Sequence, residues 1–311
     1  MLHGALLFGN KAFISVQVYR TKITEPFKMQ TFQKKITLNC CSHLLVLNKP
    51  VVMGIINTTP DSFFAGSRHQ AVEPAVEQAG CMLAAGARIL DIGGYSTRPG
   101  AAAVTVEEEL SRVIPVIAAI HQSYPQAIIS IDTFRASVAT EAVRAGACMV
   151  NDVSAGEDDL EMIKTVAALK VPYIIMHKKG TPQTMQVNPH YDDVVLEVID
   201  YLRQRIELCK EAGIADIIID PGFGFGKNLE HNYRLFASLQ DLSIFGVPVL
   251  VGVSRKSMIQ KLLHVDTAHA LNGTTALHAL ALTKGADILR VHDVAEAMEC
   301  IAIVNAVNGI I

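Results

Sequence analysis

Short apolar runs alternate with helical stretches eight times between Val51 and Asn308, and this alternation limits the fold more than any other feature of the chain. Runs of Val, Ile and Leu without interspersed polar residues are typical of parallel strands that are buried on both faces. Glycines close several of the helical stretches before the next strand begins, which supports the boundaries between units. Parallel strands joined by helices form either a closed barrel or an open sheet.

The number of units predicts a (β/α)₈ barrel, also called a TIM barrel. The predicted strands are Val51–Asn57, Ile89–Gly93, Ala127–Thr133, Met149–Val153, Tyr173–His177, Ile217–Asp220, Val249–Ser254 and Ile288–His292. The predicted helices are Val72–Ala85, Val106–Gln122, Ala136–Ala145, Asp159–Leu169, Asp193–Ala212, Leu229–Leu239, Lys256–Lys284 and Val294–Asn308. The alternative is a doubly wound open sheet, but its Gly-x-Gly-x-x-Gly fingerprint is absent after the first strand.

The segment before the barrel predicts a short N-terminal β-hairpin over Ile36–Leu47, with a turn near residues 39–42. Residues 36–311 are then expected to form one barrel domain. Residues 1–35 are expected to be an N-terminal extension of unknown order, and their weak apolar run makes a poor signal peptide.

Composition excludes several classes of function. The net charge of −3 over 311 residues gives no electrostatic case for binding nucleic acid or a membrane surface. No apolar run reaches the length of a membrane span. The six cysteines are scattered without a C-x-x-C pair, so neither a zinc site nor a disulfide framework is indicated, and a reducing cytoplasm is expected.

Every predicted strand ends in polar residues, and in a barrel these ends meet at one rim. The residues are Asn57, Gly93-Gly94 with Ser96-Thr97-Arg98, Asp132, Asn151, His177, Asp220, Ser254-Arg255-Lys256, and Arg290 with His292. Each has a structural alternative: Asp132 or Asn151 could cap a helix, Asp220 could bond its own turn, and His177 could simply pack. Asp91, inside its strand, could bond backbone. Convergence of all eight ends favours a binding site.

Two chemistries meet at the predicted rim. Asp132, Asn151 and Asp220 suit a flat heterocycle rich in N–H groups, because a carboxylate can accept two parallel N–H bonds from an aminopyrimidinone edge. The cationic residues suit phosphate oxygens and a carboxylate, and they are Arg98, Arg255, Lys256, Arg290 and His292. Ser254–Ser257 would open a helix whose free N–H groups form an anion site. For Arg255, a salt bridge is the favoured role.

These residues lie in motifs through which the chain resembles the dihydropteroate synthases, a family of pterin-binding TIM barrels. The matching stretches are Met53–Phe63, Asp91–Gly100, Ile131-Asp132-Thr133, Asn151-Asp152, Asp220–Lys227, Ser254–Ser257 and Arg290–Asp293. They run in order from about residue 51 to the C-terminal part of the chain, and together they are far more specific than one motif.

The resemblance implies an enzyme that joins 4-aminobenzoate to 6-hydroxymethyl-7,8-dihydropterin pyrophosphate, giving dihydropteroate and pyrophosphate. It implies that the pterin is held by Asp132, Asn151, Asp220 and Lys256, with Met176 and Phe225 packed near the rings. It implies that the pyrophosphate is bound by Asn57, Thr97, Arg290 and His292, with Mg²⁺ at Asn57. It implies an aminobenzoate pocket shaped by Arg98, Pro99 and Ser257, two loops (58–69 and 95–104) that close over the substrates, and a homodimer.

The chemistry of these substrates predicts an SN1-like displacement without a covalent enzyme intermediate. Pyrophosphate leaves readily once its charge is neutralised, and the dihydropterin can share the positive charge left behind. The chain departs from the family pattern at Ala65, Tyr95 and Lys178-Lys179. Two alternatives remain open: a methyltransferase barrel that binds folate, and a paralogue that binds pterin without catalysis.

Overall fold

The structure, a computed structural model, describes residues 36–41, 43–58, 72–95, 104–181, 184–185 and 187–309. The expectations for residues 1–35, for most of the two substrate loops (59–71 and 96–103), and hence for Ala65, Thr97, Arg98 and Pro99, lie outside the described residues.

Ten strands and nine α-helices occur in the described part of the chain. The strands are β1 Thr37–Cys40, β2 His43–Val46, β3 Val51–Asn57, β4 Ile89–Gly93, β5 Ile128–Asp132, β6 Met149–Asp152, β7 Tyr173–Met176, β8 Ile217–Asp220, β9 Leu250–Val251 and β10 Ile288–Val291. The helices are α1 Val72–Ala84, α2 Val106–Ser123, α3 Ala136–Ala145, α4 Met162–Leu169, α5 Val194–Glu211, α6 Leu229–Ala237, α7 Ser257–Leu263, α8 Leu271–Thr283 and α9 Val294–Val307. Two 3₁₀ helices span Leu239–Phe245 and Ala268–Ala270.

Strands β3 to β10 form one parallel sheet in the order β8-β7-β6-β5-β4-β3-β10-β9. A parallel bridge between Ile219 and Val249 joins the two edge strands and closes the sheet into a barrel. The predicted (β/α)₈ barrel is therefore confirmed, and the open-sheet alternative is wrong. The predicted hairpin is also confirmed, as β1 and β2 pair antiparallel.

The last two units differ in detail from the prediction. Strand β9 is only two residues long, because the chain turns after Val253 and Arg255 takes a left-handed φ of +52°. The predicted helix 256–284 is divided into α7, a 3₁₀ turn and α8. His264, with φ +55°, ends α7, and Asp266 then accepts a hydrogen bond from the backbone N–H of His269 (3.0 Å).

The hairpin covers the N-terminal end of the barrel. Leu38, Leu45 and Leu47 are buried against residues from the first half of the barrel strands, such as Met53 and Ile288. Burying three leucines in this way stabilises the fold by roughly 2 kcal/mol each. The hairpin thus closes the end opposite the polar rim.

The helices pack around the outside of the sheet. The larger apolar cluster lies between strands and helices and includes Ile92, Ile117, Val150, Leu202 and Ile219, all at least 99% buried. None of the described helices has the length and apolar character needed to cross a membrane.

The loop after β8 runs so close to the end of β7 that it requires glycine. A Cβ on Gly222 would lie 1.9 Å from the carbonyl oxygen of His177, and one on Gly226 would lie 2.2 Å from that of Lys179. Both glycines have left-handed φ angles, +71° and +65°. This close approach fixes the path of residues 222–227 along the rim.

We predict that Gly222→Ala destabilises the protein by about 3 kcal/mol or more, because a disfavoured φ adds to a collision with backbone. The matched control is Gly213→Ala, where φ is +88° but no atom lies within 4 Å of the new Cβ. That change should cost only about 1 kcal/mol. Urea unfolding of both variants gives the comparison, and equal losses would show that the loop can move away from β7.

Candidate active site

The ends of four neighbouring strands bring polar residues into one register. Asn57 pairs with Gly93, Gly93 with Asp132, and Asp132 with Asn151, so these residues form a row across β3 to β6. On the other side of the barrel Met176 is paired with Asp220. The strand-end residues predicted from the sequence are therefore placed on a common rim wherever the structure describes them.

The centre of the rim is an ion network around Arg290. Its Nε donates to Oδ2 of Asp91 (2.6 Å) and its Nη2 donates to Oδ2 of Asp132 (2.5 Å). The same Asp91 oxygen accepts a hydrogen bond from Nδ2 of Asn151 (3.0 Å). Backbone bonding was the structural alternative considered for Asp91, and its Oδ2 bonds side chains instead. A buried carboxylate needs donors, and two side chains supply them.

One guanidinium serves two carboxylates, so the network is short of positive charge. Burial raises the pKa of Asp132 to about 7; Arg290 acts against this shift and the charge of Asp91 adds to it. Although burial opposes the charge of Arg290, Asp91 and Asp132 raise the pKa of its guanidinium. Asp132 is thus poised to gain or lose a proton near neutral pH.

A second carboxylate, Asp220, stands at the end of β8. Its Oδ1 accepts the backbone N–H of Gly222 (2.7 Å), so the turn role considered from the sequence holds for that oxygen. Its Oδ2 lies 3.7 Å from the position that a Cβ on Gly252 would take, and Nζ of Lys256 lies 3.8 Å from the same position. Burial raises the pKa of Asp220, opposed by Lys256.

Lys256 links the two sides of the candidate site. Its Nζ donates to the carbonyl oxygen of Phe223 (2.6 Å) and lies 4.9 Å from the ring centroid of Phe225. Burial lowers its pKa to about 8, with Asp220 acting in the opposite direction. Lys256 therefore fastens the loop after β8 and faces Asp220 at the same time.

Three acceptor oxygens on the rim have no hydrogen-bond donor among the described residues. They are Oδ1 of Asp132, Oδ1 of Asn151 and Oδ2 of Asp220, and each belongs to a side chain whose other polar atom is already bonded. Asp132 is half-buried, whereas Asn151 and Asp220 are 5% and 6% exposed. Together they can receive several N–H groups from a ligand.

The sequence did not predict the buried contact between Lys227 and His177 beneath the loop after β8. Lys227 is 2% exposed, and its Nζ contacts Nδ1 of His177 (2.9 Å) and the carbonyl oxygens of Gly222 (2.8 Å) and Phe225 (3.2 Å). Packing was the alternative considered for His177; the side chain is buried, and it also contacts this lysine. Burial, reinforced by Lys227, lowers the pKa of His177 to about 2. A lysine that follows a glycine-rich turn was the available signal.

The cationic residues after β9 and β10 divide into two groups. Arg255 is committed to structure, because its Nε and Nη2 donate to Asp293 (2.8 and 2.9 Å) and its Nη1 donates to the carbonyl oxygen of Thr267 (2.9 Å). The salt-bridge interpretation of Arg255 is therefore confirmed. His292 is exposed at the end of β10, and its Nδ1 lies 3.1 Å from Oγ of Ser254. Ser257 is exposed at the start of α7.

Arg135 forms a further ion pair beside the rim that the sequence did not indicate. It donates to Oε2 of Glu109 (2.6 Å) and to the carbonyl oxygen of Val104 (2.5 Å), and its guanidinium lies 5.4 Å from the ring of Tyr95. Tyr95 also meets the ring of Phe134 edge-on at 5.3 Å. Tyr95, noted as a departure from the family pattern, therefore has aromatic and cationic partners of its own.

Among described residues, no group of three His, Cys, Asp or Glu side chains is arranged to hold a metal ion. Asn57, half-buried at the end of β3, offers a neutral oxygen. Mg²⁺ commonly takes one or two protein ligands and completes its shell with water and phosphate oxygens. The residues present therefore fit a Mg²⁺ ion carried largely by a phosphorylated ligand better than one held in a protein cage.

Comparison with known proteins gives consistent matches. Residues 53–292 match the family described as Pterin binding enzyme. The chain is 48% identical over 264 residues to a dihydropteroate synthase of Escherichia coli (strain K12), a match that covers 84% of this chain and 93% of that protein. A structure of Xanthomonas albilineans dihydropteroate synthase with 4-aminobenzoic acid has a TM-score of 0.83 and 45% identity, covering 88% of this chain and 98% of that chain. Another structure from that organism, in complex with 7,8-dihydropteroate, has a TM-score of 0.80 and 43% identity, covering 88% and 99%.

Lys227 generates a prediction about stability. Burial lowers its pKa to about 7, whereas an unfolded lysine titrates near 10.4. Between these values the unfolded chain binds more protons, so this group adds stability as pH rises from 7 to 10. We predict that Lys227→Met removes a slope of about 1 kcal/mol per pH unit from the free energy of unfolding in that window.

Urea unfolding at several pH values between 7 and 10 measures this slope. The matched control is Lys179→Met, which removes a neighbouring charge from a side chain that is 47% exposed and should keep the wild-type slope. Parallel curves for wild type and Lys227→Met would contradict a buried ammonium with a lowered pKa.

Proposed function

The chain belongs to the pterin binding enzyme family, and we propose that it catalyses the dihydropteroate synthase reaction. The substrates are 6-hydroxymethyl-7,8-dihydropterin pyrophosphate and 4-aminobenzoate, and the products are 7,8-dihydropteroate and pyrophosphate, in tetrahydrofolate biosynthesis. The observation that carries this proposal is a set of three acceptor oxygens, on Asp132, Asn151 and Asp220, that have no donor within the described residues and lie beside the cations Lys256 and Arg290.

The three acceptors suit the pterin ring. Its pyrimidine edge presents several N–H donors in one plane, and carboxylate oxygens accept such donors through short, charge-assisted bonds. Pairing with these donors offsets the cost of holding Asp132 and Asp220 ionised in a buried site. Met176, buried next to Asp220 in register, and Phe225, half-buried under the Lys256 ammonium, supply apolar surface for the ring faces.

The pyrophosphate is proposed to bind on the cationic side of the rim. Arg290 is anchored through Nε and Nη2, and its Nη1 has no hydrogen bond within the described residues. That nitrogen can donate to phosphate oxygens while the rest of the fork stays in place. His292, exposed beside Ser254, adds a second donor, and Thr97 is assigned to the same group on the strength of the sequence motif.

Mg²⁺ is proposed as the cofactor, with Asn57 as its protein ligand. When bound, Mg²⁺ would neutralise charge on the leaving pyrophosphate. Arg290 and His292 act on the same charge as it develops in the transition state, which is where such donors lower the barrier. Arg98, Pro99 and Ser257 are assigned to the aminobenzoate pocket; of these, only Ser257 is described, and it is exposed at the rim.

The displacement is proposed to be SN1-like. Departure of pyrophosphate leaves positive charge on the exocyclic carbon, which the electron-rich dihydropterin shares. The arylamine is neutral at pH 7 and needs no general base to attack. Asp132 and Asp220, ionised and close to the ring, stabilise the developing positive charge, so catalysis comes from binding and electrostatics without a covalent intermediate.

We further propose that the enzyme is a cytoplasmic homodimer. The scattered cysteines favour the cytoplasm. A homodimer is proposed because α8 and α9 carry exposed apolar residues, among them Leu280, Ile303 and Val307, and such residues often mark contacts between subunits.

Pyrophosphate release tests the proposed function. We predict steady release only when the pterin pyrophosphate, 4-aminobenzoate and Mg²⁺ are all present, with a loss on the order of 100-fold when Mg²⁺ is chelated. Release that ignores 4-aminobenzoate would contradict the proposal. Tight pterin binding without release would indicate a non-catalytic paralogue, and methyl transfer from methyltetrahydrofolate would indicate the methyltransferase alternative.

A further inference from the structure

Asp91 stands apart from the other acidic residues of the site. It lies in the middle of β4, two residues before the strand end, and its side chain is fully buried. It pairs in register with Ser130 on β5, one layer below the row that holds Asp132. Asp91 therefore lies beneath the rim, in the layer that supports the groups proposed to touch substrate.

A single oxygen of Asp91 joins two strands that are not its neighbours. Its Oδ2 accepts from Nε of Arg290 on β10 (2.6 Å) and from Nδ2 of Asn151 on β6 (3.0 Å). Arg290 is proposed to bind pyrophosphate, and Asn151 is proposed to bind the pterin. The pyrophosphate and the pterin of one substrate would thus contact two side chains that are both hydrogen-bonded to Asp91.

The Asp91 side chain has no further hydrogen bond among the described residues. Oδ1 of Asp91 is buried without a hydrogen-bond partner among the described residues, and the same is true of Oγ of Ser130 beside it. A buried carboxylate that loses its remaining donors pays the full cost of desolvation. Arg290 and Asn151 therefore gain strongly from keeping their bonds to Asp91, and this restricts the rotamers that either can adopt.

Arg290, in turn, has one contact that it can give up. Its Nη2 bond engages Oδ2 of Asp132, the carboxylate proposed to bind the pterin through Oδ1, whereas its Nε bond engages Asp91 one layer below. If the ligand draws Asp132 away, the Nε bond alone keeps the guanidinium plane directed at the pyrophosphate. Outer partners of this kind hold a binding residue within the narrow tolerance that catalysis requires.

We propose that Asp91 is a positioning residue for the reaction: through one oxygen it fixes the Arg290 guanidinium and the Asn151 amide together, and so sets the geometry between pyrophosphate and pterin. This inference rests on the proposed function. Asp91 touches neither substrate, so its effect is transmitted through Arg290 and Asn151. A purely structural ion pair would instead affect folding alone.

The test is a double-mutant cycle between Asp91→Asn and Arg290→Lys, with kcat and KM for the pterin pyrophosphate measured for all four proteins. Asparagine retains an acceptor at the Oδ2 position but removes the charge. Lysine retains the charge of Arg290 but removes Nε and the fork. If Asp91→Asn does not fold, Asp91→Glu replaces it in the cycle, since glutamate keeps the charge and shifts it by one methylene.

The matched control is Asp152→Asn. Asp152 is equally buried at the end of β6, but its partners among the described residues are Tyr173 Oη, the Ser154 hydroxyl and backbone N–H groups. This control should lower thermal stability, as Asp91→Asn does, while kcat/KM of the folded protein stays within about twofold of wild type.

We expect Asp91→Asn to lower kcat/KM by about 10- to 100-fold, a typical loss for a supporting partner of a binding residue. In the Arg290→Lys background the same change should lower kcat/KM by a smaller factor than in wild type, because only the route through Asn151 remains. The inference would be overturned if the two single-variant losses in kcat/KM simply multiplied in the double variant. It would also be overturned if Asp91→Asn lowered kcat/KM no more than Asp152→Asn does. Failure of the proposed function is distinguishable, because it would appear in the wild-type protein as an absence of pyrophosphate release.

Discussion

The organisation of the rim depends on one guanidinium shared by two buried carboxylates. Arg290 bonds both Asp91 and Asp132, so with both carboxylates ionised the group carries one more negative than positive charge. Such an arrangement is costly in a protein interior unless a further donor arrives. A ligand that presents N–H groups supplies those donors. Pterin binding therefore gains free energy by relieving this cost. Asp220 is a further buried carboxylate at the rim, and the charge of Lys256 opposes the rise in its pKa that burial causes.

The scaffold keeps these charges from rearranging. The hairpin closes the lower end of the barrel, and Gly222 and Gly226 let the loop after β8 pass directly against β7. Lys227 then fastens this loop from below through two carbonyl oxygens and His177. Because the backbone around this site is rigid, it cannot readily move to lessen the unfavourable electrostatic energy of the buried carboxylates. The geometry of the site and its electrostatics are therefore products of the same packing.

The sequence predicted what depends on local pattern. Alternating strand and helix signals gave the barrel, and because strand ends share one face, they also placed Asp132, Asn151 and Asp220 together. The sequence could not reveal pairings between distant positions. Arg290 bonds Asp91, which is 199 residues away in the chain, and Asp132, which is 158 residues away. Asp91 inside an apolar strand signalled a buried charge, but only the fold identifies its partners. The buried contacts of Lys227 were equally hard to predict, because two of its hydrogen-bond partners are backbone carbonyls, which carry no sequence signature.

Proton release on pterin binding tests this charge-deficient site most directly. Burial raises the pKa of Asp132 to about 7, so at pH 6.5 the free protein holds this carboxyl largely protonated, and N–H donors from a ligand should pull its pKa down. Titration calorimetry with 7,8-dihydropterin, in buffers of different ionisation enthalpy, measures the protons exchanged. Release of up to about three-quarters of a proton at pH 6.5, falling as pH rises through 7, is the expected result. Binding with no proton release at pH 6.5, or with proton uptake, would contradict it.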